Sequence, residues 1–334
     1  MLITGGAGFI GLHLARHLVA RGVQVDIVDN FSRGTRDGEL ESAVQSGGMR
    51  ILDGDLTEPG ALSDVETDYR CIVHLAAIVG VSRVARRSYD VLVENMAMTR
   101  NAIDAARRRP ELDRFVFLST SEVYTGTMEY STLPLPTPED TPLTVADLPQ
   151  PRTSYMLSKI YGEAMCHQAG IPFTIFRPHN VYGPRMGLAH VIPELLQRAH
   201  AAPDGGCLEV YSGDHRRTFC FIDDAVEMIW RATESPRCEG ETLNIGAQAP
   251  ELSMSELGTI IGGIVGKTLE IVPLPPTPGS PPRRCPDMTK TSSLTMYTAR
   301  VGLVDGIQKT YDWYAAHGFE AQTATSERLA RRRS

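Results

Sequence analysis

The first eighteen residues constrain the fold more than any other segment of this chain. Residues 2–4 are apolar and predict a short strand, glycines follow at three-residue spacing, and apolar residues then recur every fourth position through Leu18 as in a helix. This order suits a phosphate-binding loop, because glycine allows close backbone approach and a helix N-terminus offers unpaired N–H groups. The pattern predicts a dinucleotide-binding loop, whose residues are Gly5, Gly8, Phe9, Ile10 and Gly11.

Length and charge agree with a soluble enzyme. The 334 residues can bury a large core, and 33 basic against 40 acidic residues give a net charge of −7, which argues against nucleic-acid binding. The longest apolar run, 71–81, is too short to span a membrane, and no secretion signal opens the sequence. Six scattered cysteines form no C-x-x-C pair. We expect a reduced cytoplasmic protein without a metal site.

Strands and helices alternate through the first half of the chain. Strands are predicted at 2–4, 23–28, 49–52, 71–75, 114–119 and 172–176, and long helices at 88–109 and 155–168. The run 23–28 is almost continuously apolar, as expected for a parallel strand covered on both faces. The pattern predicts an α/β fold, a Rossmann-type doubly wound parallel sheet, in residues 1–179 with 220–247 returning to it.

Shorter elements follow Arg177. Helices are predicted at 192–201, 223–235, 255–265 and 306–317, whereas the proline-dense stretch 273–286 is predicted to be a loop. We expect segments 180–219 and 248–318 to form a smaller C-terminal α/β lobe that binds the substrate. The polar, arginine-rich tail 319–334 is expected to be disordered, with contact to an anionic surface as its functional alternative.

Residues after the predicted strands are placed to bind the cofactor. Asp29 ends the second strand, where a carboxylate can accept hydrogen bonds from the adenosine ribose and would repel a 2′-phosphate, so NAD is favoured over NADP. Arg33 is the opposing signal, since an arginine there could accept that phosphate. Plain packing is an alternative role for several of these positions. The other predicted cofactor residues are Asn30, Asp55, Leu56, Leu75, Ala76 and Ala77.

Tyr155 and Lys159 are the predicted acid/base pair. They are four residues apart on a predicted helix and therefore project from one face. A lysine ammonium beside a tyrosine stabilises the phenolate and lowers the tyrosine pKa, which makes the phenol usable in proton transfer. A solvent-facing pair is the alternative by spacing alone, and the position after the fifth strand of a dinucleotide fold favours catalysis.

Together these motifs resemble the extended short-chain dehydrogenase/reductase family, in its subgroup of nucleotide-sugar epimerases, dehydratases and decarboxylases. The resemblance covers roughly residues 1–315 and is spread over both predicted lobes. It rests on the glycine loop, Asp29, Ser119–Tyr124, Tyr155-x-x-x-Lys159, 177–185, 217–224, 244–246 and 284–287.

The resemblance implies that a nucleotide diphosphate sugar is oxidised at C4 by tightly bound NAD, in a protein that forms a homodimer through the helices beginning near Ser88 and Tyr155. Tyr155 then takes the proton of the 4-hydroxyl, Lys159 lowers its pKa and binds the nicotinamide ribose, and Thr120 hydrogen-bonds O4. Asn180, Arg217 and Arg284 are expected at the diphosphate, although a surface salt bridge is the alternative for each arginine. The remaining expected substrate residues are Val79, Ser121, Arg185, His190 and Val191.

Three fates of the 4-keto sugar stay open. Hydride return to the other face gives a 4-epimer, loss of water gives a 4-keto-6-deoxy sugar, and a C6 carboxylate can leave as carbon dioxide. Glu122 is similar to the acid/base residue near C5 in the dehydratases and decarboxylases, whereas the sequence around Tyr155 and the chain length favour a 4-epimerase. We expect a 4-epimerase, with the other two as alternatives; a keto-sugar reductase and a non-catalytic NAD-binding protein are more remote.

Overall fold

The computed structural model describes residues 1–63, 65, 68–276 and 280–319. The strands are β1 (Leu2–Thr4), β2 (Val25–Asp29), β3 (Met49–Asp53), β4 (Cys71–His74), β5 (Arg114–Leu118), β6 (Phe173–Pro178), β7 (Val181–Tyr182), β8 (Cys207–Tyr211), β9 (Arg216–Arg217), β10 (Cys220–Phe221), β11 (Thr242–Ile245), β12 (Leu252–Ser253), β13 (Glu270–Leu274) and β14 (Arg283–Arg284). The helices are α1 (Phe9–Val19), α2 (Gly38–Gln45), α3 (Val81–Arg86), α4 (Ser88–Arg107), α5 (Thr125–Tyr130), α6 (Pro151–Gln168), α7 (Val191–Ala201), α8 (Ile222–Glu234), α9 (Met254–Val265), α10 (Thr289–Thr295) and α11 (Leu303–His317).

Seven parallel strands form the central sheet in the order β11-β6-β5-β4-β1-β2-β3. The chain runs outward from β1 through β2 to β3, and then returns to the other side of β1 with β4. Ligands of such sheets bind where the strand order reverses, at the carboxyl ends of the strands. The reversal lies between β1 and β4, which places Gly5 and Leu75 at the mouth of the cleft. The predicted Rossmann-type fold is confirmed.

Helices cover both faces of this sheet. Buried residues of α1 and α8, such as Leu12 and Ala225, belong to one apolar cluster, and those of α4 and α6, such as Ala102 and Cys166, belong to another. Every residue of β2 and of β4 is buried. The polar residues among them are Asp26, Asp29 and His74, and each of these buried side chains has a hydrogen-bond partner. The other residues of both strands are apolar, as expected for covered parallel strands.

Helix α6 begins four residues earlier than predicted, at Pro151. Proline is favoured in the first turn of a helix because its missing N–H would have no partner there. The earlier start places Arg152 on the same helix as Tyr155 and Lys159. Just after the fifth strand, residues 121–124 form a 3₁₀ turn that continues into α5.

The proline-dense stretch 273–286 is also more regular than predicted. Pro273 lies inside β13, which pairs in parallel with β8, and residues 283–284 form β14. Proline is tolerated there because β13 is an edge strand, where a missing N–H breaks no central ladder. The division of the chain into two lobes remains a prediction.

The boundary of the predicted tail needs a correction at Phe319. Phe319 lies two residues beyond α11 and is buried in the same apolar cluster as Tyr314 of that helix. The two rings stack with their centroids 5.4 Å apart. Residues 320–334, where disorder was expected, lie outside the described part of the chain. Among the residues that the structure does describe, no helix is long and apolar enough to cross a membrane. Cytoplasmic location stays a prediction.

Candidate active site

The glycine loop joins β1 to α1 under tight steric limits. Gly5 has a φ of +70°, and a Cβ there would lie 2.8 Å from the backbone nitrogen of Ala76. A Cβ on Gly11 would lie 2.5 Å from the carbonyl oxygen of Gly5. Gly8 is the N-cap of α1, and no described side chain caps that helix end. The first N–H groups of α1 are therefore available to an anion such as a pyrophosphate.

Asp29 closes the adjacent side of this loop. Its Oδ2 accepts a hydrogen bond from the backbone N–H of Ala7 at 3.0 Å, and its Oδ1 accepts one from Phe31 at 2.8 Å. Burial raises the pKa of Asp29, while these hydrogen bonds and the charge of Arg185 oppose the rise. The carboxylate thus lies at the carboxyl end of β2, where adenosine ribose hydroxyls meet this fold.

Two further predicted cofactor residues meet beside Asp29. The side chain of Asn30 donates to Asp55 Oδ2 at 2.9 Å, and Thr57 donates to the other oxygen of Asp55. Leu56, the next residue, is buried. Leu75, Ala76 and Ala77 are partly exposed along the end of β4, next to Gly5. The uncapped N-terminus of α1, the glycines of the loop before it and the Asp29 carboxylate fit a dinucleotide such as NAD.

Tyr155 and Lys159 lie on one face of α6, below the end of β5. The Lys159 ammonium donates to the carbonyl of Leu118 at 2.7 Å and lies 6.0 Å from the centroid of the Tyr155 ring. Thr120 N-caps the 3₁₀ turn at 121–124, and its side chain lies near the Tyr155 hydroxyl, whose pKa it lowers. The structure therefore brings together Thr120, Tyr155 and Lys159, as the sequence predicted.

The electrostatics of this pair differ from the expectation. Burial raises the pKa of Tyr155 and the charge of Glu122 raises it further, whereas the opposing groups are Thr120 and Arg33 rather than Lys159. Burial also lowers the pKa of Lys159 to about 8, with Glu163 opposing this effect. The Lys159 ammonium instead donates to the backbone carbonyl of Leu118.

Glu122 is held between two arginines. Arg152 Nη2 donates to both carboxylate oxygens, at 3.0 and 2.9 Å, and Arg284 Nη2 donates to Oε1 at 3.0 Å. Burial favours the neutral acid, but the charges of Arg284 and then Arg152 outweigh it and lower the pKa of Glu122. The charge of Glu122 also raises the pKa of Tyr155, so the carboxylate and its two arginines lie near the phenol, and these four side chains define the candidate substrate pocket.

Arg217 adds a third guanidinium near this pocket. It donates to Ser280 Oγ at 3.1 Å and to the carbonyls of Pro281 and Arg216. Burial and then the charge of Arg284 lower the pKa of Arg217 to about 10. Two mutually repelling guanidinium groups favour an anion between them. Asn180, with a φ of +44°, donates its side-chain amide to the carbonyl of Thr218, next to Arg217.

The other predicted substrate residues lie elsewhere around the cleft. Arg33 Nη2 is 3.2 Å from His190 Nε2, and burial and Arg33 lower the pKa of His190 to about 4. Arg185 is turned toward the glycine loop and contacts Ala7 and Asp37. Val79 follows β4, Ser121 lies beside Glu122, and Val191 begins α7. The structure does not bring His190 or Arg185 to Glu122, and their roles stay predictions.

Sequence reasoning missed Arg152 and a buried network behind the pocket. Arg177 forms a bidentate ion pair with Glu163, which also accepts a hydrogen bond from Ser119. This network braces the segment that carries Thr120 and Glu122. Arg152 precedes Tyr155 by three residues on α6, a spacing that places both side chains on one helix face. A correct helix start would have been the signal for it.

The Rossmann-type sheet, its glycine loop and this constellation define a class of dinucleotide-dependent enzymes. The model of the NAD dependent epimerase/dehydratase family matches residues 1–246. A UDP-N-acetyl-alpha-D-glucosaminuronate decarboxylase from Bacillus cytotoxicus is 34% identical over 328 residues, covering 94% of this chain and 97% of that protein. UDP-glucuronic acid decarboxylase 1 of Xenopus tropicalis is 30% identical, covering 94% and 72%.

Solved structures give the same relationship. A UDP-glucuronic acid 4-epimerase from Bacillus cereus, in complex with UDP-glucuronic acid and NAD, superposes with a TM-score of 0.80 at 28% identity, covering 95% of this chain and 99% of that one. The dTDP-glucose 4,6-dehydratase DesIV from Streptomyces venezuelae, with NAD bound, gives 0.79 at 27%, covering 94% and 96%. The chain belongs to the NAD-dependent epimerase/dehydratase family of nucleotide-sugar enzymes, and its cofactor is NAD.

Proposed function

We propose that this enzyme is a decarboxylase of a UDP-linked hexuronate. The observation that carries the proposal is the position of Glu122, ion-paired with Arg152 and Arg284 in the pocket of Tyr155. The curated relatives whose names specify UDP-uronate decarboxylation support it. The sequence pattern favoured 4-epimerisation, but these relatives support the decarboxylase alternative better.

The reaction begins with oxidation at C4. When bound, NAD would supply the acceptor for a hydride from C4 and later its donor. Tyr155, once deprotonated, would receive the proton of the 4-hydroxyl, and Thr120 and Arg33 favour that phenolate against burial and the charge of Glu122. The resulting ketone lies β to the C6 carboxylate. The C5–C6 bond can then break, carbon dioxide leaves, and the electron pair moves into the C4 carbonyl as an enolate. A proton must afterwards be delivered to C5.

Arg284 connects the binding of the substrate carboxylate with the later protonation of C5. A substrate carboxylate would compete with Glu122 for the Arg284 guanidinium, which favours planar, bidentate anions. The pKa of Glu122 would then rise, because Arg284 is the strongest charge that lowers it. Glu122 could then take up a proton from solvent while the uronate carboxylate occupies Arg284. Once carbon dioxide has left and Arg284 again lowers the pKa of Glu122, the carboxyl group could deliver that proton to C5. Arg152, which remains paired with Glu122, would keep its carboxyl group oriented.

A 4-epimerase of the same kind of substrate is the second candidate. The solved relative that holds UDP-glucuronic acid and NAD favours it. A 4-epimerase must let the keto sugar turn in the pocket and needs no acid at C5. A Glu122 group fixed by two arginines is difficult to reconcile with that freedom, so we rank this candidate lower.

The experiment is incubation of the purified protein with UDP-glucuronate and UDP-N-acetylglucosaminuronate, each labelled with ¹³C at C6. Release of labelled carbon dioxide, with a UDP-pentose as product, supports the proposal. A product that retains the label but has the opposite configuration at C4 would replace it with 4-epimerisation. UDP-glucose and dTDP-glucose serve as parallel substrates, because loss of water from either would indicate a 4,6-dehydratase.

We also propose a homodimer that is formed through α4 and α6. These two helices pack side by side, and large apolar or aromatic side chains on them are exposed, with Tyr89 at 76%, Val93 at 45% and Tyr161 at 52%. Exposed apolar side chains that cluster are typical of an interface. Sedimentation equilibrium of the protein and of a Tyr161→Lys variant tests this, and a monomeric wild-type protein would exclude it.

A further inference from the structure

Arg185 connects two loops of the cofactor side from outside the central sheet. It follows β7, and its guanidinium donates to three different residues. Nε donates to Asp37 Oδ2 at 2.7 Å, Nη1 to the carbonyl of Ala7 at 3.0 Å, and Nη2 to the carbonyl of Thr35 at 2.8 Å. Only 7% of the side chain is exposed. One planar group thus spans the glycine loop and the loop that follows β2.

Each partner of Arg185 is itself tied to the cofactor corner. The N–H of Ala7 donates to Asp29, so that residue is held by Asp29 on one side and by Arg185 on the other. Asp37 uses its second oxygen to N-cap α2, through the N–H of Leu40 at 3.0 Å. One set of hydrogen bonds therefore connects the glycine loop, the Asp29 carboxylate and the start of α2.

The glycine loop and the loop that follows β2 are packed closely against each other, with little room for either to shift. A Cβ on Gly34 would lie 2.7 Å from the Ala7 side chain and 3.1 Å from Asp29 Oδ2. The backbone of Arg185 adopts a φ of +65°, which is strained for a residue with a side chain. Such strain persists where the surrounding structure determines it fully, as the three hydrogen bonds of Arg185 do.

We propose that Arg185 is a positioning residue for the adenosine half of NAD, rather than a ligand of the sugar. It fixes the distance between the glycine loop and Asp29, and its positive charge helps Asp29 stay ionised and able to accept hydrogen bonds from the ribose. The adenosine corner is therefore organised before the cofactor binds. The inference depends on the use of NAD and holds whichever reaction follows oxidation at C4.

The test measures binding by the NAD-free protein to two ligands that occupy different halves of the site. Isothermal titration with ADP-ribose reports on the adenosine corner, and titration with UDP reports on the sugar-nucleotide side. For Arg185→Met we expect ADP-ribose affinity to fall about tenfold or more, the scale of lost hydrogen bonds, while UDP affinity changes less than about twofold. Arg185→Lys keeps the charge without the three-way contact and should be intermediate.

Arg109→Met is the matched control for simple loss of stability. Arg109 also donates to two backbone carbonyls, those of Ala105 and Val65, but at the end of α4 away from the glycine loop. It should lower the melting temperature without changing ADP-ribose affinity. An equal loss of UDP and ADP-ribose binding in Arg185→Met, or unchanged ADP-ribose binding in a folded variant, would overturn the proposal. Asp37→Asn gives a second variant, expected to weaken ADP-ribose in the same direction.

Discussion

The two sides of the cleft are built in different ways. The cofactor side is built mainly of backbone, in the glycine loop and the uncapped N-terminus of α1, beside the carboxylate of Asp29. The sugar side consists of charged side chains, where Glu122 meets Arg152 and Arg284. The cofactor side requires glycines, which have no side chain, whereas the sugar side requires the charged side chains of Glu122 and its two arginines.

The backbone cradle for the cofactor belongs to the fold, whereas the charged cluster around Glu122 belongs to this particular chain. A backbone cradle suits any dinucleotide of the right shape and leaves little to vary. A charge cluster contributed by three separate segments can change its substrate when one side chain changes. Fold alone therefore identifies the cofactor, whereas the reaction must be argued from the cluster around Glu122.

The largest effect is expected for Tyr155→Phe, which removes the proton acceptor between the two sides. The loss of one hydroxyl should lower kcat by about 10³-fold, within the usual range for a general acid/base. NAD should still bind, because the phenol is no part of the glycine loop. Turnover and the content of bound NAD are measured on the same preparation. Wild-type turnover would remove Tyr155 from the mechanism, and loss of NAD would contradict the separation of the two sides.

Gly11→Ala tests the backbone-built side alone. Its Cβ would lie 2.5 Å from Gly5 oxygen and 2.7 Å from Gly6 Cα, so the loop must shift. We expect NAD affinity to fall about a hundredfold, as displacement of a positioned group commonly costs, while UDP binding is retained. Gly263→Ala, inside α9, is the matched control, because a Cβ there would have no heavy atom within 4 Å. Equal effects of the two substitutions would contradict the steric argument.

The same contrast explains how much the sequence could predict. The glycine loop and Asp29 are close in sequence and fall at strand ends, so spacing alone located them. Arg152 was missed because the helix that carries it begins at Pro151, four residues before the predicted start. The Glu122–Arg284 ion pair joins residues 162 positions apart, and only the folded chain can bring them together. Local periodicity predicts elements and does not predict contacts between distant segments.

Lys159 lies between the cofactor side and the sugar side, and its pKa measures how far water is excluded from that position. Its folded pKa of about 8 is below the ordinary value of 10.5, because burial disfavours the charged form. Between these values the unfolded chain binds a proton that the folded protein does not, so the free energy of unfolding should rise with pH. We expect the NAD-free protein to gain about 2–3 kcal/mol relative to Lys159→Met as pH rises from 8 to 10.5. Urea denaturation at both pH values measures it, and parallel curves would mean a solvated lysine.

The smallest effect concerns the charged side, where Glu122→Gln removes the carboxylate and keeps its shape. The folded pKa of Glu122 is lowered by Arg284 and Arg152 against burial, so the stability that it contributes is present above its unfolded pKa. That contribution is lost as pH falls through the folded value, where the wild-type carboxyl also becomes neutral. At pH 7 we expect the variant to be less stable by about 1 kcal/mol, with the difference vanishing in acid.

Asp113→Asn is the matched control for the Glu122 measurement. Asp113 pairs with Arg70, and because their side chains are 58% and 62% exposed, this ion pair should contribute little. Urea titrations at pH 7 and in acid should therefore give a smaller difference for Asp113→Asn than for Glu122→Gln. If the two variants lose the same stability, the Glu122 cluster is no better shielded from water than a surface pair. Its arginines could then not hold Glu122 ionised before substrate binds, and the proposed rise in its pKa on binding a uronate would lose its basis.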